Sequence, residues 1–569
     1  MESESKLSPI QRFWMLLRPD KAEIRNVYVY AVFNGLVTLS LPLGIQSIIN
    51  HIQGGQVNMA WVVLVGVVLL GVMFAGILQV NQMRITENIQ QKIFARAAFE
   101  FAYRIPRLRL ESLFGQYAPE LMNRFFDVVA VQKGLSKILI DFSTALIQVV
   151  FSLILLSLYH PFFIMFSFIL VLLVYVIFRF TAKPGLDSSL KESKMKYAVA
   201  HWLEELARTK LTFKLAGETD LPLEKVNGAV DNYLEYRENH FKILIKQFSL
   251  MIGFKILVAS GLLIIGSILV MEQQMNIGQF VASEVIILLI LNSVEKLIQS
   301  LESIYDILTS LEKIGFVTDL DLENNDGHIS EEVLTRSASA IELHNVSFNY
   351  PTRPNDILKN FSLKINQRER LLIYGKNDSG KSTLFKLMTG LYTPKTGSVL
   401  INDVPFDDFD ITQIRTHLGE YYSDDVLFEG SILENITLGR KAATLEQVQY
   451  VIKNLRLETF IKDQPQGYRT IISPGGFQFP RSVTTRLLLA RCIVAQPKLV
   501  LLRDSFSNLN EDDRHHIMEF LTDPKNDWTI VFFSSNLNLA KYVENVAVLG
   551  EGSILKKAKV ADINLNDIL

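Results

Sequence analysis

Six apolar stretches, each approaching or exceeding the roughly 18 residues that cross a bilayer as a helix, crowd the first 300 or so residues of this 569-residue chain. They fall near residues 26 to 49, 59 to 80, 138 to 158, 161 to 181, 248 to 271 and 277 to 299. Hydrocarbon offers no water to satisfy a backbone, so such segments must close their hydrogen bonds internally. The expected fold is therefore an α-helical polytopic membrane domain, and it accounts for a hydrophobic share of 49% that would be high for a soluble chain.

The connections sort by charge. "HIQGGQVN", "YH" and "EQQMN" carry no lysine or arginine, whereas the leading segment and the connections 81 to 137 and 182 to 247 are rich in both. The positive-inside rule then puts the N terminus, both long connections and the C-terminal half in the cytoplasm. Residues 1 to 25 hold no signal-type apolar core, and "SPIQRFWMLLRPDKAEIRN" is predicted to be an amphipathic helix on the membrane. The long connections keep helical periodicity, and turns are expected at "YAPELMNRFFD" and "LEELARTKLTFKLAGE". Asp141 and Glu284 are ionisable groups inside apolar spans, which makes them candidates for a translocation path; the alternative is a place near the membrane surface or a bond to a neighbouring helix.

After the polar linker at residues 317 to 340 the pattern changes to short apolar runs such as "RLLIYG", "KLVLLRD" and "WTIVFFSS" alternating with helical segments, the pattern of a parallel sheet with crossover helices. Residues 341 to 569 are thus predicted to be an α/β domain. "LLIYGKNDSGKSTLFKLMTG" satisfies G-x-x-x-x-G-K-[ST] with a strand before it and a helix after it, the setting that identifies a P-loop. Its candidate nucleotide-binding residues are Gly375, Lys376, Asn377, Asp378, Ser379, Gly380, Lys381, Ser382 and Thr383. Lys381 is placed to reach the outer phosphates, and Ser382 is a candidate Mg²⁺ ligand. A net charge of -2 argues against a nucleic-acid partner, and Cys492 as sole cysteine excludes an intrachain disulfide and a cysteine metal cluster.

Six spans with long cytoplasmic loops, followed by "VSFNYPTRPNDILKNFSLKI", the P-loop, "LYTPKTGSVLINDVPF" and "VLFEGSILENI", resemble a half-size ABC exporter over nearly the whole chain. "LARTKLTFKLAGETD" is similar to the bacterial toxin and bacteriocin branch, which implies a bacterial source and a cytoplasmic-membrane location; no cysteine-peptidase domain is expected ahead of the spans. The resemblance implies a second half-transporter chain as partner, in a homo- or heterodimer, a lipid bilayer around the spans, and room for a periplasmic adaptor. It also implies ATP sandwiched between two nucleotide-binding domains, with Tyr350 stacking on adenine.

From the P-loop onward the motifs that the family uses for hydrolysis are altered. The glutamine before "VLF" falls on Ser423. Anchored on Gly475 and Gly476 before it and on Ala490 and Arg491 after it, the signature falls on Phe479, Pro480, Arg481, Ser482 and Val483 rather than on the nearby "PGGFQ". In "LVLLRDSFSNLN" the metal-orienting aspartate falls on Arg503, the catalytic glutamate on Asp504, and a later aspartate on Asn510; the γ-phosphate histidine falls on Ser535. Asp378 stands at a position that is usually glycine. A guanidinium repels Mg²⁺ rather than holding its water, and the side chains of "FPRSV" keep the backbone from the phosphate that paired glycines would touch. The expectation is a degenerate exporter subunit that binds ATP at most, holds Mg²⁺ poorly, and hydrolyses very slowly or not at all. The alternatives are an ATPase-inactive homodimer or accessory protein acting as channel, scaffold or regulator, and a working but unorthodox ATPase. Peptide, protein and lipid cargoes all fit the spans.

Overall fold

The computed structural model describes residues 7–53, 59–114, 118–323, 325, 327–335, 337–422, 424–504 and 506–562, with the backbone alone for 118–120. Two compact units emerge: Met1–Pro106 with Gln116–Leu320, and Arg107–Gly115 with Asp321–Leu569.

The first unit is helical. Among the described residues, six helical segments are long and apolar enough to cross a membrane: Pro9–Gln53, Met59–Arg107, Leu121–Ser157, Phe162–Arg208, Leu221–Met271 and Ile277–Thr318. Met59–Arg104 alone has 46 residues, about 69 Å at 1.5 Å per residue against about 30 Å of hydrocarbon, so each long helix runs well beyond the membrane. The first long connection turns earlier than the polar stretch "YAPELMNRFFD". Pro106 cannot continue the helix, which ends at Arg104 and passes through a 3-10 turn at Ile105–Arg107; Ala118–Asn123 is already helical again. The second turns at Thr209, followed by the short helix Lys210–Leu215. At the opposite ends the lysine-free connections meet each other: the His160 and Gln274 side chains lie 3.1 Å apart, and Tyr159 Oη donates to Gln46 Oε1 at 2.6 Å. The leading helix Pro9–Leu17 begins with a Ser8/Gln11 capping box, exposes Ile10, Trp14 and Met15, and turns Arg12 to Asp319 at 3.0 Å.

The second unit is built on two sheets. Its strands are β1 Ile341–Phe348, β2 Leu358–Ile365, β3 Arg370–Tyr374, β4 Thr396–Ile401, β5 Val404–Pro405, β6 Leu418–Tyr421, β7 Gly430–Ser431, β8 Ile471–Ile472, β9 Leu499–Arg503, β10 Thr529–Ser534, β11 Asn545–Gly550 and β12 Ser553–Lys559. An antiparallel sheet has the order β2-β1-β4-β5, the larger sheet runs β12-β11-β3-β10-β9-β6, and β7 pairs with β8. Within the larger sheet β11, β3, β10, β9 and β6 are parallel. Alternate residues feed two separate cores: Leu372, Val500, Leu502 and Phe532 join one, and Leu371, Leu501, Val531 and Phe533 the other. Burial on both faces is why these strands read as unbroken apolar runs.

Candidate nucleotide site

Register decides what meets at the edge of the parallel sheet. Ser534 pairs with Tyr374, Phe533 with Arg503, and Tyr421 with Leu502. The C-terminal ends of β3, β10, β9 and β6 therefore arrive side by side and deliver the P-loop, Ser534 with Ser535, Arg503 with Asp504, and Tyr422. This is the edge where open α/β sheets bind ligands.

The P-loop closes on itself tightly. A Cβ on Gly375 would stand 2.5 Å from Ser379 Oγ and 2.8 Å from the Leu549 carbonyl, so a larger residue here would force the loop or β11 to shift. Asp378 has φ +62°, the left-handed conformation that glycine adopts freely and that aspartate tolerates better than most side chains. Lys376, Asn377 and Asp378 are exposed, and Gly380 opens the helix Lys381–Met388. Lys381 is buried and donates to the Gly375 and Lys376 carbonyls at 2.6 and 2.8 Å. Burial lowers the Lys381 ammonium pKa, Asp504 opposes that shift, Arg503 adds to it, and Asp378 opposes it. These four charged groups therefore share one electrostatic neighbourhood. Ser382 is half-buried on the first turn of the helix.

Arg503 is the anomaly of the site. Its guanidinium carbon lies 4.6 Å from the centre of the Tyr422 ring, and its Nε and Nη1 are enclosed without an acceptor among the described residues. The nearest carboxylate is that of Asp504, 3.8 Å from Nε, which is an ion pair and too long for a hydrogen bond. Leaving enclosed donors of a charged group unpaired costs about 1–3 kcal/mol or more, so the arrangement calls for an anion. Where P-loop enzymes hold Mg²⁺ with the loop hydroxyl and a strand-end carboxylate, this chain has the Ser382 hydroxyl and, at the end of β9, a guanidinium followed by Asp504.

Asp504 follows with φ +46° and donates its backbone N–H to the Phe533 carbonyl at 3.1 Å. Its side chain lines a cleft of about 530 Å³ together with Ser507, Arg514, Ser534, Ser535 and Asn536. The candidates Asp504 and Ser535 are thus brought together. Ser423 lies outside the described residues. Asn510 caps the helix Glu511–Leu521 by accepting from Asp513 N at 2.7 Å, a task asparagine performs as well as aspartate.

Tyr350 packs beside the P-loop helix, its hydroxyl 3.3 Å from Thr383 Oγ1. One ring stacks on it: Phe114, with centroids 5.6 Å apart and planes at 24°. Phe348 and Tyr392 meet it edge-on, and Lys386 Nζ lies 5.6 Å from its centroid. Phe114 belongs to the short piece 107–115 that follows the second membrane helix, and Glu111 of the same piece accepts from Thr393 N at 3.0 Å. Nothing in the sequence links Phe114 to Tyr350, because the pairing spans more than 200 residues.

Residues 358–507 match the ABC transporter family, and residues 25–294 match the ABC transporter transmembrane region. The chain belongs to the ABC transporter family. It is similar to the leukotoxin translocation ATP-binding protein LktB of Mannheimia haemolytica, 29% identical over 52% of this chain and 41% of that protein. It is similar also to ABC transporter B family member 21 of Arabidopsis thaliana, 29% identical over 43% of this chain and 19% of that protein. The chain thus spans well under half the length of these curated relatives. Its fold is that of a bacterial Atm1-family ABC exporter solved with ATP bound: TM-score 0.79, 17% identity, 96% of each chain covered.

In this ABC transporter chain, "FPRSV" straddles a helix start. Pro480 is the N-cap of Arg481–Ile493, Arg481 is exposed, Ser482 half-buried and Val483 buried, while Phe479 packs edge-on against Phe460 at 5.0 Å. Of "PGGFQ", Pro474–Gly476 form the preceding 3-10 turn and Phe477 follows as its C-cap.

Asp141 and Glu284 are not brought together in the transmembrane region. Asp141 is exposed on a π-helical turn, Ile138–Phe142, and Glu284 is half-buried. Counted from the His160–Gln274 ends, Asp141 stands about 24 Å down its helix and Glu284 about 10 Å. Lys255 and Glu295, both within the apolar stretches, do meet: Lys255 Nζ lies 2.5 Å from Glu295 Oε2. It is readable from sequence: the two charges flank the turn at residues 272–276 at nearly equal distances.

Proposed function

We propose that this chain is a degenerate half-transporter, nucleotide-binding and hydrolytically impaired, that pairs with a second half-transporter chain in a cytoplasmic membrane. The observation that carries it is Arg503, a guanidinium at the strand end where hydrolysis needs a metal-holding carboxylate. Ser535 and "FPRSV" point the same way, as does Asp504, a methylene shorter than glutamate. The lysine-free turns support cytoplasmic termini, and the likeness to leukotoxin translocation proteins supports a peptide or protein cargo.

Native mass spectrometry of the complex purified from its own host tests the pairing. The expected result is one copy of this chain with one six-span chain of different mass; a pure homodimer would overturn the pairing and favour an inactive channel or scaffold.

Adenine stacking on Tyr350 carries a second expectation. Phe114 occupies one face of that ring, and such an aromatic pair is worth about 0.5–1.5 kcal/mol. Phe114→Ala is expected to tighten binding of a fluorescent ATP analogue by about two- to tenfold, and Tyr350→Ala to weaken it. Unchanged affinity in Phe114→Ala would remove Tyr350 from the adenine site.

A further inference from the structure

We infer that Arg503 takes the place of the divalent cation in this site, so that the chain binds the phosphates of a metal-free nucleotide. The inference rests on the nucleotide-binding reading above and goes a step further, to the chemical form of the ligand.

The strand register sets the position. Arg503 ends β9, one strand away from the end of β3 that carries the P-loop, with only β10 between them. The site in this chain has two cations, Lys381 and Arg503, and the carboxylate nearest the second, that of Asp504, stands 3.8 Å from its Nε without a hydrogen bond to it. The guanidinium carbon lies over the Tyr422 ring, 4.6 Å from its centroid, a cation–π contact that holds the group at the strand end. Two of its donors, Nε and Nη1, are enclosed and have no acceptor among the described residues. A guanidinium with unpaired donors next to an anion-binding loop is matched by phosphate oxygens, which accept charge-assisted hydrogen bonds.

A divalent cation would be excluded by the same groups. Mg²⁺ takes most of its octahedral oxygens from waters and nucleotide phosphates and relies on a protein carboxylate to hold those waters; here a fixed positive charge stands at the strand end instead, beside the Ser382 hydroxyl. Asp504 is the acid nearest this place; its carboxylate lies 3.8 Å from Arg503 Nε, without a hydrogen bond, and lines the cleft with Ser535. Lys381 keeps its own N–H groups on the loop carbonyls, so it does not use up the acceptors that Arg503 needs. The metal and the guanidinium are therefore alternatives for one place.

The test is titration of a fluorescent ATP analogue into the full-length chain in detergent, once with excess EDTA and once with Mg²⁺. The wild type is expected to bind at least as tightly in EDTA as in Mg²⁺. Arg503→Ala is expected to weaken the EDTA-measured affinity by about ten- to a hundredfold, the range for losing charge-assisted hydrogen bonds. Arg503→Asp, which restores a carboxylate, is expected to bind only when Mg²⁺ is present. Lys381→Ala should lose binding in both media. Strict Mg²⁺ dependence in the wild type, or unchanged EDTA binding in Arg503→Ala, would overturn the inference and leave nucleotide binding standing. Absence of binding in both media would sink the nucleotide reading itself. Protection of the buried Cys492 thiol from a maleimide confirms that each variant is folded.

Discussion

The purified full-length chain, given ATP and Mg²⁺, is expected to release phosphate more slowly than about 0.1 per second, and Lys381→Ala is expected to leave that residual rate unchanged. Phosphoryl transfer is mostly positioning and neutralisation of charge, and this site departs from both requirements. Removing a general base costs about 10² to 10⁴ in rate. Here Asp504 adopts φ +46° at the tip of β9, and the residue before it is a cation. The losses do not multiply, because metal, base and phosphate contacts act as one unit. It follows that repairing one of them gains little. Arg503→Asp combined with Asp504→Glu is expected to raise turnover by less than about tenfold, since Ser535 still stands at the cleft and Pro480 and Arg481 still begin the helix that would face the opposite nucleotide. Turnover above about 0.1 per second that Lys381→Ala abolishes would show that the altered motifs are dispensable.

How far the sequence discloses this site depends on the range of the interactions involved. The six spans are legible because hydrocarbon thickness imposes a length and a composition on each. The P-loop is legible because its glycines answer to local geometry: the 2.5 Å that a Cβ on Gly375 would leave to Ser379 Oγ is a contact four residues away in the chain. Asp378 is half legible. Its place in a glycine slot can be read, but its left-handed backbone becomes known only from the structure. Tyr422 beneath Arg503 is not legible, because it depends on β6 lying next to β9, strands that are not consecutive. Phe114 on Tyr350 is hidden for the same reason at greater sequence distance. The early turn at Pro106 is open to reading, but the helical periodicity that continues beyond it obscures it.

Arg491→Ala is expected to destabilise the second unit by about 3–5 kcal/mol, because it removes a nearly enclosed guanidinium and its four charge-assisted hydrogen bonds, while the Asp425 left behind is exposed to solvent. Arg491 sits near the end of the helix Arg481–Ile493 and is nearly enclosed. It donates to the Asn435 carbonyl at 2.8 Å, to Asn435 Oδ1 at 2.9 Å, to Asp425 Oδ2 at 3.0 Å and to the Val426 carbonyl at 3.3 Å. Asn435 in turn holds Phe428 through both backbone groups, at 2.9 and 3.0 Å. One guanidinium thus joins the segment 425–428, the helix Ile432–Thr437 and the helix Arg481–Ile493. The next residue, Cys492, provides the reporter. It is the sole cysteine, it is buried, and burial raises its thiol pKa, so at neutral pH it stays protonated and unreactive until the unit opens. Labelling of the full-length chain with a maleimide that fluoresces on reaction therefore follows unfolding of the second unit alone. At about 2–4 °C per kcal/mol for a domain of this size, Arg491→Ala should lower the labelling midpoint by about 6–20 °C. Arg491→Lys keeps the charge and loses the fork, so its midpoint should fall between the two. Labelling of Arg491→Ala at low temperature with an unshifted midpoint would show local exposure of Cys492 and remove Arg491 from that structural role.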